Sequence, residues 1–118
     1  MTPADLSACD LREAFGAGRL SPVEALKAVF ERVAAAEPRL MALWAIDEAG
    51  AYAAAEASEQ RWRRGEPLGP IDGIPLTIKE NIATRGVPMP LGTAASLLDP
   101  SAEDAPPAAR ARPASWSG

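Results

Sequence analysis

The stretch from Gly69 to Asn81, Gly-Pro-Ile-Asp-Gly-Ile-Pro-Leu-Thr-Ile-Lys-Glu-Asn, constrains the fold of this chain more than any other. Its glycines and first proline predict a tight turn, and a short buried strand follows. Ile74, Leu76 and Ile78 alternate with Pro75, Thr77 and Lys79. Period-two alternation places the three apolar side chains on one face and Lys79 on the other. Two readings of Lys79 stay open on spacing alone. It is a strand-end lysine reaching solvent, or it is a lysine whose ammonium is disfavoured by burial and which serves as a neutral base near pH 7.

Upstream, start and stop signals predict three helices. Ser7 with Asp10 makes a capping box ahead of Leu11 and Phe15, and Gly16 and Gly18 end that first helix. Ser21-Pro22-Val23-Glu24 opens a second helix with a serine cap and a proline where a missing N–H costs nothing. Leu26, Val29, Phe30 and Val33 line one face of it, and Pro38 is expected to stop it. The bulky run Leu43-Trp44-Ala45-Ile46 predicts a strand. Asp47 then caps an alanine-rich helix to about Arg64, with Tyr52, Ala55 and Trp62 inward and Gly65 as the break.

Two helices, a strand, a helix and a strand predict an α/β protein with both strands in one sheet. Residues 85–92 read as loop, residues 93–96 as a brief helical turn, and Pro106-Pro107 as the start of another helix. From Ala108 apolar periodicity is lost, so residues 108–118 read as a disordered, irregular tail.

Charge and composition exclude several classes. A net charge of −4 argues against a nucleic-acid surface, which needs a clustered basic face. The nearest cluster, Arg61, Arg63 and Arg64, reads as a solvated helix end. With no histidine, Ser-His-Asp and Cys-His catalysis and most zinc sites are excluded. The single cysteine, Cys9, reads as a small apolar helix residue. Neither a secretory signal nor an apolar run of membrane-spanning length is present, so no membrane partner is expected and a cytoplasmic setting is the default.

The residues from Gly69 to Asn81 also carry a resemblance. Gly-Pro-Ile-Asp-Gly-Ile-Pro-Leu-Thr-Ile-Lys-Glu-Asn-Ile resembles the Gly-Pro-x-x-Gly-x-Pro-x-x-x-Lys-Asp/Glu-Asn segment of the amidase signature family. The similarity continues through Thr84-Arg85-Gly86 and Leu91-Gly92-Thr93, and reaches back to Leu20-Ser21-Pro22-Val23-Glu24. It covers about residues 5 to 107. The resemblance implies that residues 1–107 are the N-terminal part of an amidase domain, with helices packed on part of a mixed sheet. It implies a Ser–cis-Ser–Lys hydrolase of small-molecule carboxamides, with Lys79 as its base, no metal and no organic cofactor. It also allows a homodimer formed in part through the N-terminal helices.

The chain departs from the family in its serines. Ser7, Ser21, Ser58, Ser96, Ser101, Ser115 and Ser117 all lie outside a Gly-Ser-Ser-Gly-like segment, so Lys79 alone carries over from the triad. Pro113 to Gly118, written in GC-rich codons and read one frame over, gives Gly-Ile-Val-Val-Gly, a strand of the family's kind. A frameshift near residues 109–112 and a truncated, inactive hydrolase are therefore expected, with unpaired strand edges that favour aggregation. The resemblance leaves two alternatives to a stand-alone amidase. One is a non-enzymatic partner-binding module; the other is part of the A subunit of a tRNA-dependent amidotransferase. The loop from Val87 to Gly92 leans towards the stand-alone enzyme.

Overall fold

The computed structural model describes residues 1–92 and 98–111. They fall into two units, Met1–Pro75 and Leu76–Gly118.

The first unit is helical. A short 3-10 helix, Pro3–Asp5, leads into α1 (Ala8–Gly16), α2 (Pro22–Leu40) and α3 (Glu48–Arg63). Each α-helix begins where its cap predicts. Ser7 Oγ accepts from the Asp10 amide at 3.1 Å, and the Asp10 carboxylate accepts in return from the Ser7 amide and hydroxyl. Ser21 Oγ accepts from the Glu24 amide at 3.1 Å, and Asp47 from the Gly50 amide at 3.0 Å. Such bonds satisfy amides that have no partner inside the helix and stabilise it by about 1 kcal/mol each.

Leu11, Phe15 and Ala25 form the core, with Leu6, Leu20, Trp62 and Ile74 packed on it. Phe15 meets Trp62 at 5.9 Å between ring centroids, and Phe30 of α2 stacks on Tyr52 of α3 at 5.6 Å. The inward stripe expected of α3 is therefore present at Tyr52, Ala55 and Trp62. Arg32 of α2 ties down the 3-10 helix through Asp5, at 2.9 Å.

Pro38 does not stop α2. The helix runs to Leu40, and Met41 ends it in the left-handed region at φ +48°. Proline removes one intrahelical bond, which a final turn tolerates when its other groups are satisfied. Glu37 supplies that satisfaction. Its carbonyl accepts from the Met41 amide at 2.8 Å and its carboxylate from the Leu43 amide at 2.7 Å.

The second unit has little regular structure among its described residues. Isolated bridges pair Thr84 with Val87, Arg85 with Ser101, and Pro88 with Pro100. The Gly86 amide donates to the Ser101 carbonyl at 2.9 Å, and the Ala105 amide to the Ala83 carbonyl at 2.8 Å. Helix α4, Pro106–Ala111, starts at the expected prolines and runs four residues into the stretch read as tail, with Ala108 fully buried. The expected turn at 93–96 and the remainder of the tail, including Ser96, Ser115 and Ser117, lie outside the described residues.

The helical half of the α/β expectation is present, and among the described residues the sheet is not. Neither 43–46 nor 74–78 forms a strand; both lack ladder pairing. A helix closes its hydrogen bonds within one segment, whereas a strand exists only beside a second one. Large apolar side chains stay uncovered as a result: Trp44, Ile46 and Leu76 are each about half exposed.

Candidate functional site

The turn at 69–74 is where the first unit ends. The Asp72 amide donates to the Gly69 carbonyl at 3.3 Å, and the Ile74 amide to the Ile71 carbonyl at 3.0 Å. Gly73 sits at φ +83°, where a side chain is strained. There is also no room for one. A Cβ at Gly73 would lie 2.5 Å from Ser58 Oγ and 2.7 Å from Pro22 Cγ. The turn is thus pressed onto the middle of α3 and the start of α2.

Asp72 is the turn's anchor. Its carboxylate accepts from Arg61 Nε at 2.8 Å and Nη2 at 2.7 Å, a two-pronged ion pair, and from the Leu68 amide at 3.0 Å. Its carbonyl accepts from the Trp62 indole N–H at 3.0 Å. The Asp72 side chain is 1 % exposed and that of Arg61 11 %. Burial by itself would raise the Asp72 pKa. The bonds from Arg61, Leu68 and Ser58 and the charge of Arg61 outweigh it, and the carboxyl lies below its ordinary value of 3.8. Arg61 is raised in turn by its bond to Asp72, against burial. The Ser58 hydroxyl is buried, without a hydrogen bond of ordinary geometry.

Arg61 is therefore not part of a solvated helix end. Arg63 and Arg64 are, being exposed beside Glu59 and Glu66. Spacing contained the signal: Ala55, Ser58 and Arg61 recur every three residues and all three are buried. Asp72 is less legible, since Asp before Gly is ordinary turn composition.

Lys79 lies four residues beyond the end of the first unit. It is exposed, and its carbonyl accepts from the Ile82 amide at 3.0 Å. Of the three apolar residues expected on one buried face, Ile74 packs on the core, Ile78 is half-buried and Leu76 is 51 % exposed. The serines serve structure where they are described: Ser7 and Ser21 cap helices, Ser58 is enclosed, and Ser101 bonds the 85–87 backbone. Cys9 is exposed on α1 rather than packed. Among the described residues no His, Cys, Asp and Glu cluster could hold a metal ion, and no helix is long and apolar enough to cross a membrane.

Comparison with known proteins places this geometry. The model of the amidase family matches residues 24–115, a span that includes Arg61, Asp72 and Lys79. The chain is 44 % identical over 80 residues to the A subunit of the glutamyl-tRNA(Gln) amidotransferase of Chloroflexus aggregans, covering 68 % of this chain and 16 % of that protein. It is 38 % identical over 93 residues to the Myxococcus xanthus protein of the same name, covering 79 % and 19 %. The Streptomyces coelicolor protein of that name is 33 % identical over 88 residues, covering 75 % and 18 %. The chain thus spans less than one fifth of the length of these relatives. With its family match running through helix, anchored turn and lysine alike, the chain belongs to the amidase family.

Proposed function

We propose that this chain is the N-terminal part of an amidase-type acyl-transfer enzyme of the amidotransferase A-subunit kind, with Lys79 as its base. The observation that carries the reading is the family match across 69–81, together with relatives named as amidotransferase A subunits over most of the chain. Those names favour the amidotransferase over the stand-alone amidase. In such an enzyme a neutral lysine takes a proton from a middle serine. That serine takes one from the nucleophilic serine, whose oxygen attacks the carboxamide carbon. Backbone N–H groups hold the oxyanion, the proton on the lysine passes back through the middle serine to the amide nitrogen, and ammonia leaves as the C–N bond breaks, with the acyl group kept on the serine for transfer to water or another acceptor. The resemblance puts the serine segments downstream of the lysine and outside residues 1–118, so these residues alone are not expected to complete the reaction.

Two assays test the reading. The purified chain is expected to show no carboxamide hydrolysis. A chimera in which residues 1–92 replace the corresponding segment of the C. aggregans protein is expected to hydrolyse carboxamide and to lose about 10³-fold in rate with Lys79→Ala, on the scale of a lost acid–base group. Hydrolysis that survives Lys79→Ala overturns the role of Lys79.

One observation favours a protein-contact role beside the catalytic one. Val33, Ala34, Pro38, Met41, Leu43 and Ile46, with Glu37 among them, line a shallow and mainly apolar groove at the end of α2. It suits a surface that further protein covers, in keeping with an enzyme of the A-subunit kind.

A further inference from the structure

Three consecutive residues before the lysine segment are each gripped by a different part of the helical unit. Asp72 is held at its side chain by Arg61 and at its carbonyl by Trp62, neighbours on α3. Gly73 is pressed between Ser58 and Pro22. Ile74 packs on the core formed by Leu11, Phe15 and Ala25. Among the described residues, no backbone amide beyond Ile74 donates to another backbone group until Ile82 bonds the Lys79 carbonyl. Residues 72–74 are thus the last fixed point before Lys79, which lies five residues on, within a reach of about 18 Å.

A buried ion pair is a poor means of adding stability, because apolar residues of similar volume do as well or better. What a guanidinium fork on a carboxylate adds is direction: two parallel bonds fix both angle and distance. Direction matters here for a specific reason. The segment after Ile74 closes no ladder of its own, so the direction in which it carries Lys79 is inherited from the turn before it. A base displaced by as little as 1 Å loses about a hundredfold in rate.

We propose that Arg61 and Asp72 are positioning residues for Lys79. Their ion pair fixes the point and the direction at which the chain leaves the helical unit, and so constrains where the following segment can carry Lys79. This rests on Lys79 being the base.

The test uses the 118-residue chain and its two lysines, Lys27 and Lys79, with Lys27 on α2 as the internal reference. Arg61→Lys keeps the charge and removes the fork. Expected in this variant are NMR order parameters for the amides of 76–79 falling from about 0.8 to below about 0.6. The acylation rate of Lys79 relative to Lys27, measured at one fixed pH, is expected to change at least about twofold, as the segment carrying Lys79 loses its constraint. The amides of α1 and α2 are expected to keep their order. Asp72→Asn, which retains shape and one hydrogen-bonding oxygen, is the second variant if Arg61→Lys also disorders α1 and α2. Unchanged order at 76–79 and an unchanged Lys79 to Lys27 ratio in a variant that keeps its helices overturn the proposal, as does a wild-type segment already below 0.6. Failure of the Lys79 reading is separate: it shows as chimera activity that survives Lys79→Ala.

Discussion

Two arginines hold the helical unit together in different ways. Arg32 reaches Asp5 at 2.9 Å, with side chains 52 % and 37 % exposed. Arg61 reaches Asp72 at 2.7 Å, with side chains 11 % and 1 % exposed. The distances nearly match, yet the consequences differ because solvent does. At the surface water screens the attraction and competes for both partners. In the interior, losing one partner strands the other charge away from water. The first pair pins the N-terminal 3-10 helix to α2. The second decides where a turn can sit.

Removing the buried carboxylate should separate the two pairs most clearly. Asp72→Ala is expected to destabilise the unit by about 3–5 kcal/mol, the range for one partner of a buried pair, measured as a lower urea midpoint. A loss no larger than that of Asp5→Ala would dissolve the distinction. Next in size is Gly73→Ala, expected to cost about 1–3 kcal/mol because a methyl group must displace Ser58 and Pro22. Gly86→Ala is its control: the same φ of +83°, with nothing within 4 Å of the added Cβ, leaves only the backbone strain.

Acid sharpens the comparison further. The Asp72 carboxyl is depressed in the folded chain, so its stabilisation is present above the ordinary value of 3.8 and is lost as pH falls through the folded value. Asp5 is depressed as well, by its backbone bond to Thr2 and its bond to Arg32. Urea midpoints should therefore stay level from neutral pH to about 5 and drop below about 4. High salt should weaken the part of the Asp5 share that comes from Arg32 and leave the Asp72 share, and Asp72→Asn should flatten most of the remaining drop. A drop that salt abolishes entirely would place both pairs at the surface. The smallest effect is expected from Arg32→Ala, a shift in the urea midpoint smaller than any of these that fades in high salt.

Legibility follows distance along the chain. Ser7, Ser21 and Asp47 were readable as caps because each bonds an amide three residues away. The Lys79 motif was readable as a pattern of types at fixed spacing, and its anchor was not. Arg61 and Asp72 are eleven residues apart and belong to different elements, so neither names the other. Arg61 followed two other buried positions at helical spacing, a signal that its charge obscured. Pro38 misled for a related reason: its own chemistry ends helices, and the compensation came from the side chain of Glu37.

From the sequence alone come the helix starts, the turn at Gly73 and the family-type segment that carries Lys79, because each depends on contacts within a few residues. Only the tertiary structure decided that α2 outlasts Pro38, that Arg61 faces inward and that Asp72 locks the turn. It also decided that the expected strands at 43–46 and 74–78 carry no ladder. A strand's hydrogen bonds and a buried charge's partner both come from elsewhere in the chain, and no local pattern specifies them.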